Sequence, residues 1–252
     1  MFSVCIGVVC LVFVVSVVVN EECEDRLYVF RDRFDAGRRV GVWLRSLGVG
    51  VDVVFAIPAG GVPVAFEIAK VLRARLDVLV CRKLLIPWNR EAGFGAMAPN
   101  GSYFYDERLA LYLGLSSRDI EDAVEEQRIE IRRRIDVYRC SEPYRPLNGL
   151  RIAVVDDGIA GGYTMIAATR FLKKLNPSFI AIVVPTCCRN TIGRVLLEKP
   201  DVLYCYNPRS GPIYAVADAY IEWRDLSDRD VIEILSQAKK LNLLNYSANC
   251  IP

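Results

Sequence analysis

Residues 151–165 read RIAVVDDGIAGGYTM. An apolar, β-branched run makes a buried strand. Two adjacent carboxylates, Asp156 and Asp157, close it, then come a glycine-rich turn and a helix starting at Thr164. A carboxylate pair at a strand end can hold vicinal hydroxyls. Glycines let the backbone approach a phosphate, and a helix start offers unpaired N–H groups and the positive end of the peptide dipole. These parts, in this order, suit a sugar phosphate.

Working outward, residues 52–57 form another short buried strand, ending in Pro58-Ala59-Gly60-Gly61. The spacing predicts a helix over 62–75 and a strand over 76–81, followed by Arg82-Lys83, which makes a parallel βαβ unit. Further helices are expected over 30–47, from Ser116 or Ser117 to about 139, over 190–197 and over 227–241, with strands over 179–185 and 202–206. The sum is an α/β fold, a doubly wound parallel sheet whose ligand site lies at the carboxyl ends of its strands. Residues 58–61, 82–83 and 156–164 all follow strands and converge on one rim. Residues 84–105 show no period and contain Pro, Gly and Asn, which favours a mobile functional loop or a small hairpin. Residues 214–223 are aromatic and irregular; Tyr214 and Trp223 either pack in the core or line a base pocket.

The bulk properties set limits. A chain of 252 residues that is 53% hydrophobic can bury a large core. Its net charge of +2 is too mild to imply nucleic acid. The absence of histidine excludes Ser–His–Asp and Cys–His catalysis and His-containing zinc sites. Nine cysteines occur without a C-x-x-C pair, which favours reduced core thiols; bridges stay open for a hyperthermophile source. Residues 1–19 carry no charge. They read as a membrane anchor with the rest of the chain cytoplasmic, or as a segment upstream of a true start at Val29, or as a buried element. The expected organisation is an apolar extension over 1–28, one domain over 29–241 and a tail over 242–252.

Asp156-Asp157-Gly158-Ile159-Ala160-Gly161-Gly162-Tyr163-Thr164 resembles the signature of the type I phosphoribosyltransferases. Three further segments resemble a bacterial and archaeal branch of that family with unassigned substrate. They are Phe30-Arg31-Asp32-Arg33-Phe34-Asp35-Ala36-Gly37-Arg38, Pro58-Ala59-Gly60-Gly61-Val62-Pro63-Val64 and Cys81-Arg82-Lys83. The resemblance implies phosphoribosyl transfer from phosphoribosyl pyrophosphate to a nitrogen acceptor, a nucleobase by default, with Mg²⁺ as cofactor. It is expected in the cytoplasm, with a homodimer allowed for. Asp156 and Asp157 are implied to bind the ribose hydroxyls directly or through Mg²⁺. Gly158, Ile159, Ala160, Gly161, Gly162, Tyr163 and Thr164 are implied to cradle the 5-phosphate. Ala59, Gly60 and Gly61 form the implied pyrophosphate loop, often built on a non-proline cis peptide. Arg82 and Lys83 are implied to neutralise pyrophosphate, and residues 84–105 to close over the centre with Arg90 reaching the leaving group. Gly161 stands where the family has Thr and Ala59 where it has Arg. These departures carry the alternative, a module that binds the nucleotide or phosphoribosyl pyrophosphate as a sensor with weak turnover.

Overall fold

A computed structural model describes residues 16–211 and 213–252. Six strands form one sheet. In spatial order they are Ser16–Val19 (β1), Val202–Arg209 (β9), Phe179–Cys188 (β8), Arg151–Val155 (β7), Val53–Ala56 (β2) and Arg75–Val78 (β3). Every neighbouring pair is parallel. β7 lies inside the sheet with both faces covered, so its sequence is continuously apolar instead of alternating. Ile152 and Val154 point to one core layer, Ala153 and Val155 to the other.

The first layer holds Tyr163–Lys173 (α5) and Arg189–Leu196 (α6). The second holds Arg33–Ser46 (α1), Gly61–Leu72 (α2), Ser117–Arg139 (α4) and Asp228–Lys240 (α7). Local chemistry sets several boundaries. Asp32 caps α1, and Ser116 with Asp119, and Ser227 with Asp230, form reciprocal capping boxes on α4 and α7. The Arg-rich turn of α4 is used in ion pairs: Arg133 meets Glu130 at 2.8 Å and Asp228 at 2.6 Å.

The segment 84–105, expected as a mobile functional loop or a small hairpin, carries more regular structure than a hairpin. Arg82–Ile86 (β4), Asn89–Met97 (β5) and Tyr103–Tyr105 (β6) form a second, antiparallel sheet. Leu84, Phe94, Ala96 and Met97 are fully buried and hold it against the main body. Glycines at 93 and 95 interrupt the alternation by which such strands are recognised. A short helix, Glu107–Tyr112 (α3), follows without having been expected. The strand expected over 76–81 stops at Val78 because Arg82 already belongs to the second sheet.

Residues 16–28 are joined to the sheet. β1 pairs with β9, the Asn207 amide donates to the carbonyls of Cys23 and Arg26, and Asp25 N donates to Pro208 O at 3.0 Å. Residues 1–15, most of the expected anchor, lie outside the described residues. Among the described residues no helix is long and apolar enough to cross a membrane. At the other end, residues 242–252 fold back along β3: Leu76 N donates to Leu243 O and Asn245 N to Leu76 O. Cys140 and Cys250 are joined in a disulfide, which corrects the expectation of reduced thiols for this pair. Cys23, Cys81, Cys187, Cys188 and Cys205 are free, as expected. The tail's return brings together residues 110 apart in sequence, a separation no local pattern reveals.

Candidate active site

β2 and β7 are in register, Ala56 opposite Val155, so the turns that leave them meet. The peptide Pro58–Ala59 is cis. Gly60 and Gly61 then lie directly against the acid pair. A Cβ on Gly60 would stand 1.9 Å from Asp157 Oδ2, and one on Gly61 2.7 Å from Val155 O. Only glycine lets the two turns approach this closely.

The loop after the acid pair is anchored at its middle. Ile159 is buried; its N–H donates to Thr186 O and its carbonyl accepts from Cys188 N. The loop's outer carbonyls turn toward α6, where Thr191 Oγ1 donates to Ala160 O at 2.6 Å and Arg194 to Gly161 O at 3.4 Å. Gly162 adopts φ +80°, a left-handed conformation that few other residues tolerate, and starts α5. No side chain caps α5, which leaves its first amides to a ligand.

A cleft of about 590 Å³ opens above this loop. The whole stretch from Asp156 to Met165 lines it, with Ile57, Pro58, Cys81, Arg82, Lys83, Arg90 and Val216. The expected site residues are therefore gathered in one place: the acid pair, the phosphate loop, both cations after β3 and Arg90. Ala59, Gly60 and Gly61 adjoin them beneath the acid pair. Two cations have protein partners in this state. Arg82 Nε donates to Gln127 Oε1 of α4 at 3.1 Å, and Arg90 pairs with Glu126 of the same helix. Lys83 is exposed.

Electrostatics single out Asp156. Burial pushes its carboxyl well above the usual range, and the neighbouring charge of Asp157 adds to this; the positive charge of Lys83 opposes it. Two adjacent carboxylates in a sheltered place attract a cation or hydroxyl donors. Burial also raises the Cys81 thiol, leaving it a neutral wall residue.

Sequence reasoning assigned no role to Arg33, Tyr220, Thr191 or Arg194. Arg33 Nε lies 2.8 Å from Asp157 Oδ2, and the Tyr220 hydroxyl donates to the Asp157 carbonyl at 2.6 Å. The available signal was the Phe30-Arg31-Asp32-Arg33 segment, which stands out by resemblance alone. Trp223 does not line the cleft; its ring covers the Arg33 guanidinium at 3.7 Å. Tyr214 is directed into the interior, its hydroxyl donating to Thr186 Oγ1 at 3.2 Å.

No family model matches the sequence. Two Mycobacterium tuberculosis proteins, from strains CDC 1551 and H37Rv, are provisionally named phosphoribosyl transferases. Each is 34% identical over 212 residues, which is 84% of this chain and 47% of theirs. The chain thus spans about half the length of the curated relatives it matches. The crystal structure of TT1426 from Thermus thermophilus superposes with a TM-score of 0.64 at 30% identity, covering 86% of this chain and 99% of that one. This parallel sheet, with the acid pair at the end of β7, is the type I phosphoribosyltransferase fold, and the curated relatives that the chain resembles bear that family's name.

Proposed function

We propose that the protein transfers a phosphoribosyl group from phosphoribosyl pyrophosphate to a nitrogen acceptor of the nucleobase type, releasing pyrophosphate. The observation that carries the reading is the single cleft that joins an uncapped helix start and its glycine loop, an acid pair, and Lys83 and Arg90. The 5-phosphate suits the loop of residues 158–164, because its amides, that of Ile159 apart, have no partner among the described residues and lie at a positive dipole end. The ribose hydroxyls suit Asp156 and Asp157.

In the reaction the acceptor nitrogen's lone pair forms a bond to the anomeric carbon. The bond from that carbon to the pyrophosphate oxygen breaks, its electron pair leaving with pyrophosphate, and the acceptor's proton passes to solvent. Negative charge grows on the leaving oxygens, and Lys83 supplies a fixed positive charge there. Arg90 can add a second on leaving Glu126. Their contact is an exposed ion pair, of a kind worth ~0–1 kcal/mol. The second sheet carries Arg90 over the cleft and can exclude water as it closes.

Mg²⁺ fits the donors present. The acid pair offers hard oxygen ligands. That suits an ion held by one or two carboxylates and completed by substrate oxygens and water. Asp156 and Asp157 would hold it, and it would offset the charge of the pyrophosphate.

The test is pyrophosphate release from phosphoribosyl pyrophosphate and Mg²⁺ across a panel of bases. Release with one base, lost in Asp157→Asn, supports transfer. Tight binding with no release for any acceptor supports the sensor reading, which Ala59 favours by removing a charge from the pyrophosphate loop. No binding overturns both.

A further inference from the structure

The Phe30-Arg31-Asp32-Arg33 segment has no role in the reaction as described, yet one of its side chains reaches the acid pair. We propose that Arg33 is a positioning residue for Asp157, committing one carboxylate oxygen to the protein so that the other faces the cleft. The proposal rests on the reading that Asp157 meets the ribose hydroxyls or a metal.

Arg33 follows the Asp32 cap at the first position of α1, which aims it across the sheet's carboxyl edge. Its side chain is 8% exposed. Nε donates to Asp157 Oδ2 at 2.8 Å, a second nitrogen donates to Arg224 O at 2.9 Å, and Trp223 covers the guanidinium face. Arg33 is thus held from three directions, and the planar fork has little freedom to leave. Gly60 packs against this carboxylate, more tightly on Oδ2 than on Oδ1. Apart from the Asp156 carboxyl, which lies within hydrogen-bond reach of the Asp157 carboxylate, no donor among the described residues meets Oδ1. The Asp157 backbone is pinned as well, by Tyr220 on its carbonyl and by its N–H donating to Asp156 Oδ1 at 2.9 Å. One oxygen is fixed by a cation and the other is not, and the carboxylate cannot rotate without losing the Arg33 bond. Outer partners of this kind orient ligating carboxylates, and their loss typically costs ~10–100-fold in metal affinity or activity.

Arg31 provides the internal control. It is exposed and pairs with Asp32 beside it.

The experiment is calorimetric titration of phosphoribosyl pyrophosphate, at several fixed Mg²⁺ concentrations, into wild type, Arg33→Met, Arg33→Lys, Trp223→Leu and Arg31→Met, with thermal melts of each. The expected result is a folded Arg33→Met that binds ~10–100-fold more weakly and needs more Mg²⁺ for half-saturation. Arg33→Lys should recover part of the loss, because an ammonium can reach Oδ2 but cannot also stack on Trp223 and bond Arg224. Trp223→Leu should weaken binding several-fold, and supports the proposal even if Arg33→Met fails to fold. Arg31→Met should bind like wild type. A merely structural role would lower melting temperature without moving the Mg²⁺ requirement. Folded Arg33→Met or Trp223→Leu with wild-type affinity and Mg²⁺ dependence overturns the proposal. A wild type that binds no phosphoribosyl pyrophosphate overturns the proposed function itself.

Discussion

Two Arg–Asp pairs stand at the main sheet, one on its edge strand β3 and one just past the end of the interior strand β7, and they behave differently. Arg139 and Asp77 are each 2% exposed. Arg139 meets both Asp77 oxygens, at 3.0 and 3.2 Å, Asn245 donates to the same carboxylate, and Tyr144 and Tyr246 cover the guanidinium. Arg33 meets Asp157 through one oxygen only. The saturated pair ties α4, β3 and the C-terminal tail into one unit. The second pair is left unsaturated at the rim of the cleft, where the proposed ligand would meet it. The same two residue types serve stability or binding according to how many of their hydrogen-bonding positions the protein itself fills.

The sharpest way to break this comparison is Arg139→Met. It leaves Asp77 buried without a counter-charge, so stability should fall by ~3–5 kcal/mol in denaturant unfolding, while the remaining folded fraction binds phosphoribosyl pyrophosphate as the wild type does. Impaired binding in that fraction would show that the two pairs are coupled. Next comes Cys250→Ser. The disulfide closes a loop of 110 residues next to the saturated pair, and its loss should cost ~2–4 kcal/mol, read as a lower melting temperature with unchanged ligand affinity.

Gly60→Ala presses on the open pair instead. Its methyl would collide with Asp157 Oδ2, costing ~1–3 kcal/mol of stability, but the affinity loss should be larger than the stability loss implies. Equal losses would make Gly60 a packing residue only.

The smallest effect is on pH dependence. Burial raises the Asp156 carboxyl above its ordinary 3.8, so the folded state holds this proton more tightly than the unfolded state. Its contribution to stability is complete below about pH 4 and is lost as pH rises through the raised value. Cation-assisted binding has the opposite sign, strengthening over the same window as Asp156 ionises. Affinity measured against pH should show this rise, and Asp156→Asn should flatten it.

Much of the sheet was legible because buried parallel strands are short apolar runs and their helices carry local caps; Ser116 and Ser227 act as read. The phosphate loop was legible for a similar reason: its glycines, acids and helix start are consecutive in sequence. The second sheet was not, because Gly93 and Gly95 break its alternation. Nor was β1, since a four-residue edge strand inside a longer uncharged run leaves no boundary to read. Arg33 was visible as a residue and invisible as a partner, because its contact with Asp157 spans 124 positions.

By itself the sequence determined which groups stand together at the end of β7. The acid pair, the glycine turn and the helix start are neighbours along the chain, so their grouping, and the sugar-phosphate reading proposed from it, needed no tertiary information. Tertiary structure alone decided how those groups are armed. It brought Gly60 under Asp157, took Arg82 and Arg90 to α4, and set Arg33 on a single carboxylate oxygen. Such contacts join distant segments, and their strength comes from burial and from the number of partners each group has, neither of which is written at any one position of the chain.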